Sequence, residues 1–270
     1  MCPDDYVLKE ISTDGEVVVG VTSVGNELFV LLRRDVDQVA VYSMDDFQLL
    51  HHLNVPELKG NNSNDMTSCV QHKRLYMSNN DSDCIHKFHL SSSDVTKWSV
   101  PGTPRGLSVT PNCNLLVTCG GQTSKLVELS ADSGQCVREI ELQADIRNLW
   151  HAVQLTTGQF VVCHGDADNP LHRVCLVDDK GSVTRSYGGQ RGSDVGQLNC
   201  PCHLALGYSG LHVYVADYCN RRVVLLNSML EFVRYVNDEL SYQQRLYLNP
   251  ITCRLCVGQG YDGVIVILHR

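Results

Sequence analysis

Proline is scarce in this chain, 8 in 270 residues, and charge is low at 19%. Few prolines beside 21 glycines suit many short strands joined by turns. No apolar run approaches the roughly 18 residues of a membrane-crossing helix, so none is expected. The first ten residues, MCPDDYVLKE, are acidic and carry no apolar core, so no secretory signal is expected. Long segments of 3.6-residue period are also missing, which excludes a doubly wound α/β fold. The one helical candidate, around 237–244, is short and compatible with a capped turn. There is no GxSxG elbow and no Walker loop. Gly188-Gly189-x-x-Gly192 opens no helix and cannot hold phosphate on a helix N-terminus. Linkers and low-complexity segments are lacking.

The net charge of -8 disfavours nucleic acid and anionic membranes as partners. The 13 cysteines are odd in number and spread from Cys2 to Cys256 with no compact framework. Reduced thiols packed as small hydrophobes in a cytoplasmic protein are the simplest expectation.

What is present is a repeat. Strand-like cores recur at Leu28-Phe29-Val30, Leu75-Tyr76-Met77, Leu115-Leu116-Val117, Phe160-Val161-Val162, Val213-Tyr214-Val215 and Leu255-Cys256-Val257. Their intervals, roughly 40–53 residues, are those of four-stranded propeller blades. A polar turn and a third strand follow each core, and a more polar fourth strand closes the first five units. The sixth has none before Arg270, whereas Tyr6–Ser12 alternates like the outer strands elsewhere. Pairing it with the third strand of the last unit would close the ring and remove a free edge. The expectation is an all-β, six-bladed β-propeller of four-stranded antiparallel blades. It forms a single domain over 1–270, with blades at about 17–55, 65–101, 104–142, 148–188, 199–237, and 244–270 plus 5–13.

The unit at 187–227 is the best preserved. Gly196, Leu198 and Pro201, then Val213, Val215, Asp217, Asn220, Arg222, Val223 and Leu226, resemble the NHL repeat pattern. The other five units keep the period and not the motif. The resemblance implies a six-bladed propeller that selects protein or RNA partners, as at the carboxyl end of tripartite-motif ubiquitin ligases. This chain has no RING or B-box spacing and no coiled-coil heptads, so ligase activity is not expected in it.

Asp217, Asn220 and Arg222 are expected to satisfy their own turn rather than to bind a ligand. Loops entering the first strands carry Arg105, Arg147, Trp150 with His151, and Arg245; turns after the second strands add Arg33, Arg34, Tyr218, Arg221 and Tyr261. Both sets open on one face. Arginine and aromatic residues anchor interfaces, and this mixture suits an acidic peptide, a carboxylate or a phosphate. Segment 57–65 (ELKGNNSND) is expected to be the most polar surface insertion.

His151 and His203 fall on first strands, where channel metals are held in some propeller enzymes. The equivalent positions elsewhere offer Thr22, Ser68, Leu107 and Tyr247, so no converging ligand set is expected. Cys200-Pro201-Cys202-His203 lacks the second ligand pair of a structural zinc site, and strand alternation would put Cys202 on the face of Leu204 and Leu206. No metal, cofactor or catalytic residue is expected. The reading is a monomeric, non-enzymatic module for a protein or peptide, with RNA binding and a metal-dependent hydrolase or lyase as alternatives.

Overall fold

Runs of β-branched and aromatic residues, broken by Gly, Asn and Asp, form 24 strands among the described residues of a computed structural model. The described residues are 6–33, 37–55, 58, 63–79, 81–120, 123–166, 168–207, 210–237, 240–260 and 262–269. The strands make six four-stranded antiparallel sheets. The innermost strands are Val17–Val24, Ser63–Cys69, Thr103–Val109, Leu149–Gln154, Pro201–Leu206 and Gln243–Leu248. Five sheets run in sequence order from the inner strand outward. In the sixth, Tyr6–Ser12 pairs with Val264–His269, in a register from Tyr6 opposite His269 to Ser12 opposite Val264. The ring is therefore closed by joining the two ends of the chain in one sheet, and Val264–His269 is not left as a free outer edge.

The core is a ring of six interfaces, each between neighbouring blades. Phe29, Leu31, Val39 and Val41 of the first blade meet Met66, Leu75, Met77 and Phe88 of the second. Val18, Leu28 and Val30 meet Cys256, Ile265 and Ile267 across the closure. A middle strand is covered on both faces, so Leu28 to Leu32 are all buried, and such strands read as continuous apolar runs. Outer strands face solvent; Leu49 to His52 are exposed. Residues 237–244 contain no helix among the described positions; strands end at Asn237 and begin at Gln243.

The best-preserved turn is a knot. Asp217 is fully buried. One of its carboxylate oxygens accepts from Arg222 Nε (2.8 Å) and Asn220 Nδ2 (2.7 Å), and the other from the Asn199 N–H (2.6 Å). Arg222 then donates to the carbonyls of Ser193 (2.7 Å) and Gln197 (3.0 Å) and lies over the Tyr235 ring. The signature residues thus fasten the Gly-rich approach loop to its blade.

Gly181 shows how tightly neighbouring blades fit. Its φ is +84°, and a Cβ there would sit 1.8 Å from the Glu141 carbonyl oxygen. Both the left-handed backbone and the lack of space require glycine. Gly181→Ala is expected to cost about 1–3 kcal/mol, measured by urea unfolding; a change below 0.5 kcal/mol, within the range of neutral substitutions, would contradict this packing.

Candidate functional site

Every inner strand breaks register near its start. The shifts fall between Val18 and Gly20, Ser63 and Asp65, Pro104 and Leu107, Leu149 and His151, Pro201 and His203, and Gln243 and Arg245. A bulge leaves one residue unpaired, bends the strand and re-aims its side chains. Five of the bulged residues, Val19, Arg105, Trp150, Cys202 and Gln244, line the mouth of the channel. The bulge also resets the pleat. Cys202 packs with Ala205 and not with Leu204 and Leu206, which corrects the alternation expected from sequence.

The mouth has two levels. An outer cavity of about 370 Å³ is lined by Arg33, Trp150, Asp166, Tyr218, Gln244 and Arg245 among others. An inner one of about 190 Å³ is lined by Asp65, Arg105, Gly106, Trp150, Cys202, His203 and Arg245. Trp150, Cys202 and Arg245 belong to both, so the two are continuous. Gly106 is needed here because a Cβ would lie 2.4 Å from the Trp150 carbonyl oxygen.

The residues just past the bulges build the floor. Asp65 is buried on its inner strand, which corrects its placement in a polar surface insertion. Its carboxylate accepts from the N–H groups of Met66 (2.9 Å) and Leu107 (2.8 Å). Arg245 Nε lies at 3.3 Å, His203 Nε2 at 3.5 Å and His151 Nε2 at 3.6 Å. The two imidazoles stack with centroids 3.8 Å apart. Burial would raise the Asp65 pKa, but His203, Arg245 and His151 outweigh it and hold it down at about 2. Burial, reinforced by His203, lowers His151 to about 3, against the pull of Asp65. Burial likewise lowers His203. At neutral pH the cluster is one carboxylate, one guanidinium and two neutral imidazoles. Below it the channel is lined mainly by apolar groups, including Val21, Leu107, Val153 and Leu246.

Asp65, His151 and His203 bring three potential ligand atoms within 4.8 Å of one another. This corrects the expectation that no ligand set converges; the third member comes from Asp65. The donor set nevertheless does not fit a metal. His203 Nδ1 accepts the Leu246 N–H (3.3 Å), so the neutral ring carries its proton on Nε2. His151 Nε2 faces the Leu107 carbonyl (3.0 Å) and must be its donor. Neither imidazole turns a lone pair toward Asp65, and Arg245 already occupies the carboxylate. The nearby thiols are not nucleophiles, since burial pushes Cys202 and Cys200 up to about 12.

The fold gathers Arg33, Arg105, Trp150, His151, Tyr218 and Arg245 around this channel. Arg147 lies apart, exposed in a groove with Thr123, Glu141 and Gln143. Arg221 is held beside the mouth by Tyr242, donating to its hydroxyl (2.9 Å) while its guanidinium lies over the ring. Arg34 and Tyr261 lie outside the described residues. Sequence reasoning missed Asp65, Cys202 and Gln244 as channel residues. Pro201 before Cys202 marks a strand start as readily as a bulge, no such signal precedes Gln244, and Asp65 sits at the end of a polar run.

No family model matches the chain, and no curated protein matches it. Solved structures match its fold throughout. A chain described as Kuenenia stuttgartiensis hydrazine synthase aligns with a TM-score of 0.70 and 13% identity over 98% of this chain and 99% of that one. The Myceliophteria thermophila Cps50 (Swd1) β-propeller domain aligns with a TM-score of 0.69 and 12% identity over 98% and 99%. At these identities the likeness is one of fold. No helix among the described residues is long and apolar enough to cross a membrane.

Proposed function

We propose that this chain is a non-enzymatic recognition propeller of the NHL type, akin to the partner-selecting domains of tripartite-motif ubiquitin ligases, working in the cytoplasm. It receives an acidic segment of a protein partner at the channel mouth. The observation that carries this reading is the meeting of Arg33, Arg105 and Arg245 with Trp150 and Tyr218 around one concave opening. Cations and aromatic faces on a rigid ring recognise carboxylates without conformational cost. The inert thiols and the paired floor favour binding over chemistry. The mouth also holds Asp65 and Asp166, and so lacks the extended positive track that a polynucleotide backbone requires.

Selection from a displayed random-peptide library tests it. Enriched peptides should be rich in Asp and Glu, and Arg105→Glu should weaken them at least tenfold. Enrichment of neutral peptides, or Arg105→Glu binding as tightly as the parent, would sink the reading.

A further inference from the structure

The inner cavity has a more definite chemistry than the face around it. Arg105 is fixed on both sides. A Cβ on Gly120 would lie 3.2 Å from Arg105 Nε and 3.5 Å from Cζ, so this glycine leaves the guanidinium room to lie against the strand. On the other side the Arg105 Cζ is 4.9 Å from the centre of the Trp150 ring. Trp150 is itself held by its indole N–H donating to the Gly165 carbonyl (3.1 Å). A guanidinium between a glycine and an indole keeps its planar fork in one orientation. It forms no ion pair with any described residue, yet it lines the cavity.

Charge selects the ligand. The described lining residues include two cations, Arg105 and Arg245, one anion, Asp65, and His203. Arg245 is committed to the floor, with Nε on the Val19 carbonyl (2.7 Å) and 3.3 Å from Asp65. One uncompensated positive charge remains, presented as a fork. A carboxylate matches it in charge and in bidentate shape, whereas a phosphate dianion would bring a second charge toward Asp65. The Asp65 cluster floors the cavity, and its volume of about 190 Å³ has room for a single terminal group: the end of a chain, one side chain or a small acid.

We propose that the inner cavity is a monocarboxylate pocket in which Arg105 grips the carboxylate and Trp150 covers the adjoining carbon. It rests on the mouth being the binding face. The test is titration of the full chain, followed at the Trp150 indole N–H by two-dimensional NMR and by calorimetry; Trp98→Phe assigns the signal. The probes are N-acetylglycine, N-acetylphenylalanine, their amides, inorganic phosphate, and one pentapeptide with a free or an amidated carboxyl end, with or without an internal Glu.

The acids should move the Trp150 signal and bind at least tenfold more tightly than their amides and than phosphate. Arg105→Gln and Arg105→Lys should both lose this preference, the second because it keeps the charge without the fork. Arg147→Gln, outside the cavity, should keep it. The peptide arms identify the source as a chain terminus, a Glu side chain or a free acid. Acids and amides that bind the wild-type protein equally would overturn the pocket, whatever the variants do. If displayed peptides bind but show no such preference, the pocket falls and the recognition reading stands. If the acids bind and no displayed peptide does, the pocket stands and the peptide reading falls.

Discussion

Asp65→Ala and Asp65→Asn will each lower the unfolding free energy by about 3–5 kcal/mol, the range for breaking a buried charged cluster from one side. The reason is the reach of one carboxylate. It takes backbone N–H groups from its own blade and the next, through Met66 and Leu107. His151, His203 and Arg245 approach it from the fourth, fifth and sixth blades, and Arg245 goes on to the Val19 carbonyl of the first. All six blades are joined through this group. Alanine leaves two buried N–H groups without an acceptor and strips the Arg245 guanidinium of its counter-charge.

Asparagine is no remedy, because Met66, Leu107, His203 and Arg245 all present donors. An amide NH2 would face one of them. The double variant Asp65→Ala/Arg245→Met should not recover the loss either, since both backbone donors remain orphaned. Urea unfolding at pH 7 measures each. An Asn variant within 1 kcal/mol of wild type would show that the cluster does not hold the ring.

The second large effect is acid lability. His151 and His164 are buried with pKa values lowered from 6.5 to about 3 and about 4, burial being the main cause in both. A depressed histidine is neutral in the fold and gains its proton on unfolding, so the unfolded chain binds more protons below pH 6.5. Stability should therefore fall as the pH drops from 6.5 toward 4. Each group contributes on the order of 3 kcal/mol across that window.

Geometry supports the neutral forms. His151 carries its proton on Nε2, toward the Leu107 carbonyl, and its Nδ1 is buried without a hydrogen-bond partner, so a second proton there would find no acceptor. His164 takes the Arg173 N–H on Nε2 at 3.2 Å, so its second proton would have to displace that donor and face the guanidinium charge. Asp65 acts in a separate range. Its lowered pKa gives stability that is present above 3.8 and lost as the pH falls toward 2. Unfolding free energies at pH 7.5, 6, 5 and 4.5 check the sign. His164→Gln, whose carbonyl can still accept from Arg173 as the imidazole does at 3.2 Å, should flatten the slope by about half. A profile that is level from pH 7 to 5 would rule out both assignments.

The strand cores at Leu28, Leu75, Leu115, Phe160, Val213 and Leu255 were legible because a doubly covered strand must be apolar along its whole length. The closing role of Tyr6–Ser12 was legible because a missing outer strand and a surplus polar one have one economical pairing. The candidate site was legible only in part. Arg105, Trp150 and Arg245 stood out by type, whereas Arg147 shares their sequence context and lies elsewhere.

Sequence by itself determined the six units, their strand order and the chemistry available at the start of each inner strand, because period and polarity follow from which faces must be buried. Tertiary structure decided which of those residues enter the channel. A one-residue bulge inverts the pleat, and its position depends on how each inner strand meets its five counterparts around the axis. That is why Asp65, at the end of a polar run, became the buried centre of the ring, and why Cys202 turned away from Leu204.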